Sequence, residues 1–167
     1  MSDLPDGVTR GERARLFPIL SERSMEGRTL SIFLATLIQV RPFASVLLGR
    51  LGKRVGPWSR LQAYTEVCFK HTPDQGEDRP DGLLVLDTGR ARWTALVEAK
   101  VRKTELTLEQ VGKYLKLAKA NGIDAVVTLS NQFSSVPNHH PVSIAVPKGL
   151  ELFHLSWMQV LTDAFLL

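Results

Sequence analysis

Apolar residues along the chain recur with two periods, one typical of helices and one typical of strands. Over residues 25–40 the apolar positions 30, 33, 34, 37 and 38 have helical spacing, and Ser24 is a candidate N-cap. This pattern predicts a largely buried helix. Pro42 suits the first turn of a second, shorter helix that continues to Leu51.

Three later segments predict β-strands because β-branched, aromatic and other apolar residues alternate there with polar ones. The first covers residues 61–70, and alternation puts Tyr64, Glu66 and Cys68 on one face with the intervening residues on the other. The other two, residues 82–87 and 93–101, predict a hairpin because turn residues separate them.

The segment after the hairpin predicts a crossover connection. Thr107 and Gln110 form a Thr-x-x-Gln capping box at the start of a helix that ends at Asn121 and Gly122. Residues 123–130 are then an apolar run typical of a buried strand. A strand, a helix and a strand in this order place the two strands parallel. The whole pattern predicts an α/β domain with a mixed central sheet.

The two ends of the chain are expected to lie outside this core. Residues 1–11, rich in glycine and proline, predict a loose arm, and a short helix is expected near residues 12–20. Residues 142–146 and 150–155 predict an edge hairpin. Ser156 and the glutamine three residues later then begin a last helix.

Composition agrees with one folded domain in a reducing compartment. The chain has 167 residues, of which 44% are hydrophobic, and this is enough for a core. The single cysteine, Cys68, excludes an internal disulfide, and no signal segment is recognised, so we predict a cytoplasmic protein. The apolar run at 30–40 is too short to cross a bilayer. We divide the domain into an arm and short helix (1–24), a core (25–130) and C-terminal strands and helix (131–167).

The net charge of +4 is concentrated in the first 70 residues, which hold 11 Lys and Arg against 6 Asp and Glu. An excess of this kind suits an anionic partner such as nucleic acid. Lys53, Arg54 and Arg60 flank a Gly-Pro break and are candidate contacts to phosphate groups. A loop cluster of this kind is more often an ordinary charged surface.

Three charged side chains are expected to meet at one end of the hairpin. Alternation turns Glu98 and Lys100 away from the core, and antiparallel pairing brings Asp81 opposite the end of their strand. Two neighbouring carboxylates repel unless a cation lies between them. Mg²⁺ prefers such oxygen ligands together with water and phosphate, so the pattern predicts a magnesium site.

Pro80-Asp81, followed after the hairpin by Glu98-Ala99-Lys100, resembles the signature of the PD-(D/E)xK nuclease superfamily. The resemblance covers about residues 25–130. It implies a restriction-endonuclease-like αβββαβ core and hydrolysis of phosphodiester bonds in nucleic acid, above all DNA. It also implies that Asp81, Glu98 and the carbonyl of Ala99 hold Mg²⁺, which Mn²⁺ can replace, and that Lys100 positions or activates water. A homodimer is compatible with this resemblance.

The superfamily often adds a glutamate on its first helix and polar residues on the helix after the lysine strand. Glu26 fits the first position, and Gln110 with Tyr114 fits the second as an i, i+4 pair. Gln110 has an equally good role as the capping-box partner. Glu66, on the strand beside Asp81, competes with Glu26 as the additional acid, and the sequence does not choose between them.

Two other function classes stay open. The same fold serves equally for a catalytically inactive module that binds nucleic acid or protein. Alternatively, the charged hairpin end is only a solubilising surface with no affinity for metal. A zinc site at His139 and His140 is not predicted, because adjacent histidines project differently and Cys68 is distant in the chain.

Overall fold

The computed structural model describes residues 4–18, 24–72 and 79–167, and within these ranges a six-stranded mixed sheet is flanked by four helices. In chain order the elements are β1 (Val8–Arg13), α1 (Met25–Gln39), α2 (Arg41–Arg50), β2 (Arg60–Phe69), β3 (Gly82–Asp87), β4 (Arg92–Ala99), α3 (Leu108–Ala120), β5 (Ala125–Ser130), β6 (Glu151–Ser156) and α4 (Trp157–Phe165). The strands lie side by side in chain order. Strands β1 to β4 pair antiparallel, and β4, β5 and β6 pair parallel. The predicted α/β class and mixed sheet are confirmed.

The sheet separates two apolar layers. Helices α1, α2 and α4 cover one face, and their core includes Leu34, Leu47 and Val160. Helix α3 covers the other face through residues such as Val111 and Leu115. The predicted crossover from β4 through α3 to β5 is present. Because β4 and β5 are parallel, the chain must return over one face of the sheet, and α3 covers that face.

Gly82 at the start of β3 lets α1 approach the sheet closely. A Cβ atom on Gly82 would lie 2.9 Å from Leu34 Cδ1, 3.2 Å from Leu30 Cδ2 and 3.3 Å from the carbonyl oxygen of Tyr64. Real Cβ atoms do not tolerate the shortest of these separations. The glycine therefore sets the distance between α1 and the strand that follows Asp81.

The N-terminal segment differs from the predicted arm and short helix. Residues 8–13 form β1, which pairs antiparallel with β2 and buries Val8 against the α3-side core. Of the glycines that indicated a loose arm, Gly7 lies in the turn before β1 with a φ of 84°, and Gly11 lies within the strand. Pairing also covers the edge of β2, whose backbone groups would otherwise stay open. Residues 19 and 20 of the predicted helix lie outside the described residues.

The predicted strict alternation of β2 is wrong beyond its middle. Glu66 has a φ of 54°, and the β1–β2 register shifts around it, as in a β-bulge. The extra residue moves the following side chains to the opposite face. Tyr64, Val67 and Phe69 consequently all join the α3-side core, whereas alternation had separated Tyr64 from the other two.

The predicted edge hairpin after β5 is also wrong. Residues 142–146 form no strand, and β6 runs parallel to β5 at the edge of the sheet. Pro141 and Pro147 bracket the segment, and a proline has no N–H group to donate to a strand partner. Ile144 instead packs against the α3-side core as part of a covering loop.

The helix termini mostly follow the sequence. The hydroxyls of Thr107 and Ser156 accept hydrogen bonds from the third residue of α3 and α4, as predicted, whereas Ser24 makes no such side-chain cap at α1. No single helix among the described residues is long and apolar enough to cross a membrane. Only α1 and α2 together reach that length, as a pair bent by 107° whose apolar sides are buried in the core.

Candidate active site

The carboxyl end of β4 carries the predicted charged cluster. Pairing of Gly82 with Val97 places Asp81 beside Glu98, and the backbone N–H of Ala99 donates to Asp81 Oδ2 at 3.2 Å. Lys100 follows on the same side of the chain as Glu98, and its Nζ lies 2.9 Å from Glu98 Oε1. The structure therefore brings together the two carboxylates and the ammonium, as the hairpin register predicts.

The two carboxyl groups disturb each other strongly. Burial raises the pKa of Asp81, the charge of Glu98 raises it further, and the hydrogen bond from Ala99 only partly opposes them, which leaves the pKa at about 8. At neutral pH and without a cation, Asp81 thus holds a proton. A divalent cation between the two groups would displace that proton and remove the repulsion.

Lys100 keeps its positive charge in this enclosed place. Burial lowers the pKa of Lys100, but the hydrogen bond and charge of Glu98 and the charges of Glu26 and Asp81 outweigh burial and leave the pKa raised. Glu98 is 2% exposed and Lys100 is 8% exposed. A buried lysine that stays charged is suited to stabilise negative charge developing on a neighbouring group.

One oxygen of the cluster has no donor apart from the proton that Asp81 shares with Glu98. Oε1 of Glu98 contacts Lys100 and Gln110, whereas Oε2 is buried and receives no other hydrogen bond from the described residues. An orphaned carboxylate oxygen next to the carboxyl of Asp81 fits a hard divalent cation with oxygen ligands. Among the described residues, no group of three or more His, Cys, Asp and Glu side chains is placed to hold a metal ion. A cation here would accordingly have two carboxylates and backbone, water or phosphate oxygens as ligands.

The structure distinguishes the two candidates for the additional acid. Glu26, in the first turn of α1, has its Oε2 3.4 Å from Lys100 Nζ. Glu66 lies at the β2 bulge with an exposed side chain, and within the described residues it makes no ion pair with Lys100. It lines a separate polar pocket with residues such as Glu12 and Ser31. Only Glu26 joins the cluster.

Gln110 has its side chain at the site and not in the capping-box position, the two roles that the sequence left equally open. Its backbone N–H donates to the hydroxyl of Thr107 at 3.2 Å, which caps α3, and its side-chain Nε2 donates to Glu98 Oε1 at 3.4 Å. The cap depends on the backbone alone, so the side chain is available for the site. Tyr114, one turn later, packs half-buried against the α3-side core.

The predicted phosphate-contacting residues lie at the other end of the sheet. Arg60 pairs with the last residue of β3, whereas Asp81 precedes the first, and five strand steps separate these ends by about 17 Å. Lys53 lies 2.7 Å from Glu151 Oε2 and 5.2 Å from the centre of the Trp93 ring. Lys53, Arg54 and Arg60 are therefore not brought together with the charged cluster.

A polar row across the three parallel strands was not predicted. Glu98 pairs with Thr128, and Thr128 pairs with His154, so their side chains share the α3-side face of the sheet. Glu-Ala-Lys, Thr-Leu-Ser and His-Leu-Ser are thus three polar-apolar-polar triplets in register. A polar residue at every second position of an otherwise apolar strand was the sequence signal for this row.

The buried His154 and the half-buried His140 contact Thr128 of this row. His140 Nδ1 lies 3.0 Å from the N–H nitrogen of Val142, and His140 Nε2 lies 2.9 Å from Thr128 Oγ1. His154 Nε2 donates to the carbonyl of Gln132 at 3.0 Å, and its Nδ1 accepts from Thr128 at 2.9 Å. Burial lowers the pKa of both histidines, that of His140 to about 4. Both rings are neutral at physiological pH.

An apolar groove of about 410 Å³ lies between α1 and α4, and residues such as Ile32, Phe33 and Leu161 line it. The charged cluster does not line this groove, but Arg102, in the turn after Lys100, and Asn131 do, so the groove begins next to the candidate site. In comparisons with known proteins, no family model and no curated protein matches this chain. The functional proposal therefore rests on the side chains of the cluster.

Proposed function

We propose that this chain is a metal-dependent nuclease that hydrolyses phosphodiester bonds of nucleic acid, above all DNA. The observation that carries the proposal is the pairing of the half-buried Asp81 with the buried Glu98, one oxygen of which has no donor but Asp81 among the described residues, with the charged amine of Lys100 beside them. Such a pair is unfavourable by itself and becomes favourable when it binds a divalent cation. Mg²⁺ is the proposed ion, with Mn²⁺ as a substitute.

The order of the elements supports a restriction-endonuclease-like core. Helix α1, the antiparallel strands β2 to β4, helix α3 and the parallel strand β5 follow the αβββαβ order, with α2 inserted after the first helix. The proposed catalytic groups lie at the carboxyl end of β4, where the crossover to α3 begins. The single cysteine, Cys68, is free, which fits the proposed location in the cytoplasm.

The residues have distinct proposed roles. Asp81, Glu98 and the carbonyl of Ala99 hold the metal ion, which when bound supplies a Lewis acid for the phosphate and lowers the pKa of water. Lys100 positions water and stabilises negative charge as it develops on the phosphoryl group. Glu26 holds the ammonium of Lys100 from the side of α1. Gln110 fixes the orientation of the Glu98 carboxylate.

Cleavage of labelled DNA in the presence of different metal ions tests the proposal. Cleavage is expected with Mg²⁺ or Mn²⁺, and not with chelator or with Ca²⁺, which takes more ligands in looser geometry. Asp81→Asn is expected to lose metal binding and cleavage. Asp87→Asn is the matched control, because Asp87 ends the same strand at the opposite end of the sheet.

Lys100→Ala separates chemistry from metal binding. We expect this variant to bind Mn²⁺ and to lose about two to three orders of magnitude in cleavage rate, the usual effect of removing one transition-state donor. Wild-type cleavage by Lys100→Ala would contradict the role given to the lysine. If the wild-type protein binds Mn²⁺ and DNA but cuts neither DNA nor RNA, the inactive binding module replaces the nuclease as the function.

A further inference from the structure

The backbone just past Lys100 is held from two other elements. Trp157 Nε1, at the start of α4, donates to the carbonyl of Lys100 at 2.7 Å. Asn131 Nδ2, in the loop after β5, donates to the carbonyl of Arg102 at 2.6 Å. A further backbone bond from Thr104 to Val101 closes the turn. The turn of residues 101–104 is therefore anchored against the carboxyl end of the sheet.

Arg102 has an unusual backbone conformation within this turn. Its φ is 59°, in the left-handed region where a residue with a side chain is disfavoured by about 1 kcal/mol. Glycine would avoid this strain. Strained residues of this kind collect at functional sites, where the surrounding structure holds them in place. An arginine at a position that favours glycine therefore points to a role for its side chain.

The two cations of the turn follow Lys100 closely in the chain, and Arg102 also lines the end of the apolar groove between α1 and α4. Arg102 and Lys103 are exposed, and in the part of the chain that the structure describes neither forms an ion pair. Lys53, by contrast, is held by Glu151 at the far end of the sheet. The Cα of Arg102 is at most about 7 Å from that of Lys100, a reach that spans one or two nucleotides of a strand.

We infer that Arg102 and Lys103 hold the phosphate backbone of the substrate next to the scissile phosphate. This inference rests on the nuclease function proposed above and replaces Lys53, Arg54 and Arg60 as the phosphate-contacting group. The anchored turn fixes the distance between these cations and Lys100, so that phosphates bound by the turn place the next phosphate at the charged cluster. Such contacts position the strand and read no base sequence.

The test is DNA binding as a function of salt, measured by fluorescence anisotropy in Ca²⁺ so that the DNA stays intact. The variant is Arg102→Gly with Lys103→Gln, because glycine keeps the left-handed conformation without strain. The matched control is Arg54→Gln with Arg60→Gln, which removes the same charge from the far end of the sheet. We expect the first variant to bind DNA about tenfold more weakly, with a salt slope reduced by about 1.4 to 1.8 for two lost contacts.

The control variant is expected to keep the wild-type slope, and both variants should melt within a few degrees of the wild-type protein. Equal losses in the two variants, or a loss only in the control, would overturn the inference. The absence of any DNA binding would overturn it as well. Cleavage in Mg²⁺ is measured separately. If the protein cuts DNA but the turn variant binds DNA as the wild type does, the proposed function stands and the inference fails. If the protein binds DNA through the turn without cutting it, the nuclease function fails and only phosphate binding by the turn remains.

Discussion

Gln110 donates from Nε2 to Glu98 Oε1 at 3.4 Å, so the first turn of α3 touches the same carboxylate oxygen that Lys100 contacts. Lys100 at 2.9 Å and Gln110 at 3.4 Å therefore hold Oε1 together, and Oε2 receives no hydrogen bond from either of them. The orientation of the carboxylate depends on a residue outside the sheet.

Gln110→Ala is expected to lower the cleavage rate about tenfold while leaving the melting temperature nearly unchanged, because the cap at Thr107 uses only the backbone of residue 110. Thr107→Ala is the matched control. It removes the cap and should cost about 1 kcal/mol of stability while keeping the glutamine side chain. Steady-state cleavage rates and thermal unfolding check the pair. Equal rate losses in both variants would mean that Gln110 acts only through the helix.

Glu26→Gln and Glu66→Gln remove one acid each from the two candidate positions. We expect Glu26→Gln to slow cleavage, because Glu26 Oε2 lies 3.4 Å from Lys100 Nζ. Glu66→Gln should cleave at the wild-type rate, since Glu66 is exposed at the bulge. Single-turnover rates at saturating Mg²⁺ measure the chemical step. A slower Glu66 variant with an unaffected Glu26 variant would reverse the assignment.

The metal-free protein is expected to lose stability as pH rises from about 4 to about 8. The pKa of Asp81 is raised to about 8 by burial and by Glu98, so the folded state binds a proton over this range that the unfolded state releases. The slope for one proton is at most about 1.4 kcal/mol per pH unit. Thermal unfolding in chelator at several pH values measures this slope. The stability of Asp81→Asn should depend less on pH, because this variant lacks the titrating group. Added Mg²⁺ should stabilise the protein most at high pH, and a stabilisation independent of pH would contradict the metal site.

Gly82→Ala is expected to destabilise the protein by about 1 to 3 kcal/mol, because its Cβ would meet Leu34, Leu30 and the backbone of Tyr64. The strain lies next to Asp81, so Mn²⁺ affinity should fall too. Gly49→Ala is the control, since a Cβ there meets nothing and alanine favours a helix by about 1 kcal/mol. Denaturant unfolding compares the two. An unchanged Gly82 variant would mean that α1 moves away from the sheet without loss.

His140 is expected to make the protein less stable as pH falls from about 6.5 to about 4. Burial lowers its pKa to about 4, so in this range the unfolded state binds a proton that the folded state does not. The loss is on the order of 1 kcal/mol after allowance for partial exposure of the ring. The difference in unfolding free energy between the wild-type protein and His140→Gln isolates this effect from that of Asp81. A difference that does not change with pH would show that folding leaves the pKa of His140 unchanged.

The parts of the fold that follow local rules were predictable. The hairpin, the caps at Thr107 and Ser156 and the crossover to β5 depend on alternation and on spacing within one segment. The convergence of Asp81, Glu98 and Lys100 followed in turn from the hairpin register alone. The pairing of the two hairpin strands was therefore enough to predict the charged cluster.

The remaining features depend on contacts between distant segments. The pairing of β1 with β2 and the parallel pairing of β6 with β5 are choices of neighbouring strand that the residues of β1 and β6 do not indicate by themselves. The bulge at Glu66 breaks the alternation that the face assignment assumed. The sequence also did not predict that Lys53 lies at the far end of the sheet, because a count of charged residues does not show where each residue lies in the fold.

The three in-register triplets on β4, β5 and β6 have a consequence for assembly of the sheet. A shift of one residue in β5 would turn Thr128 to the opposite face and leave His140 and His154 without their shared partner. Each buried polar group without a partner costs about 1 to 3 kcal/mol. A misaligned arrangement therefore loses hydrogen bonds at several positions at once. The polar row thereby favours a single alignment of the three strands.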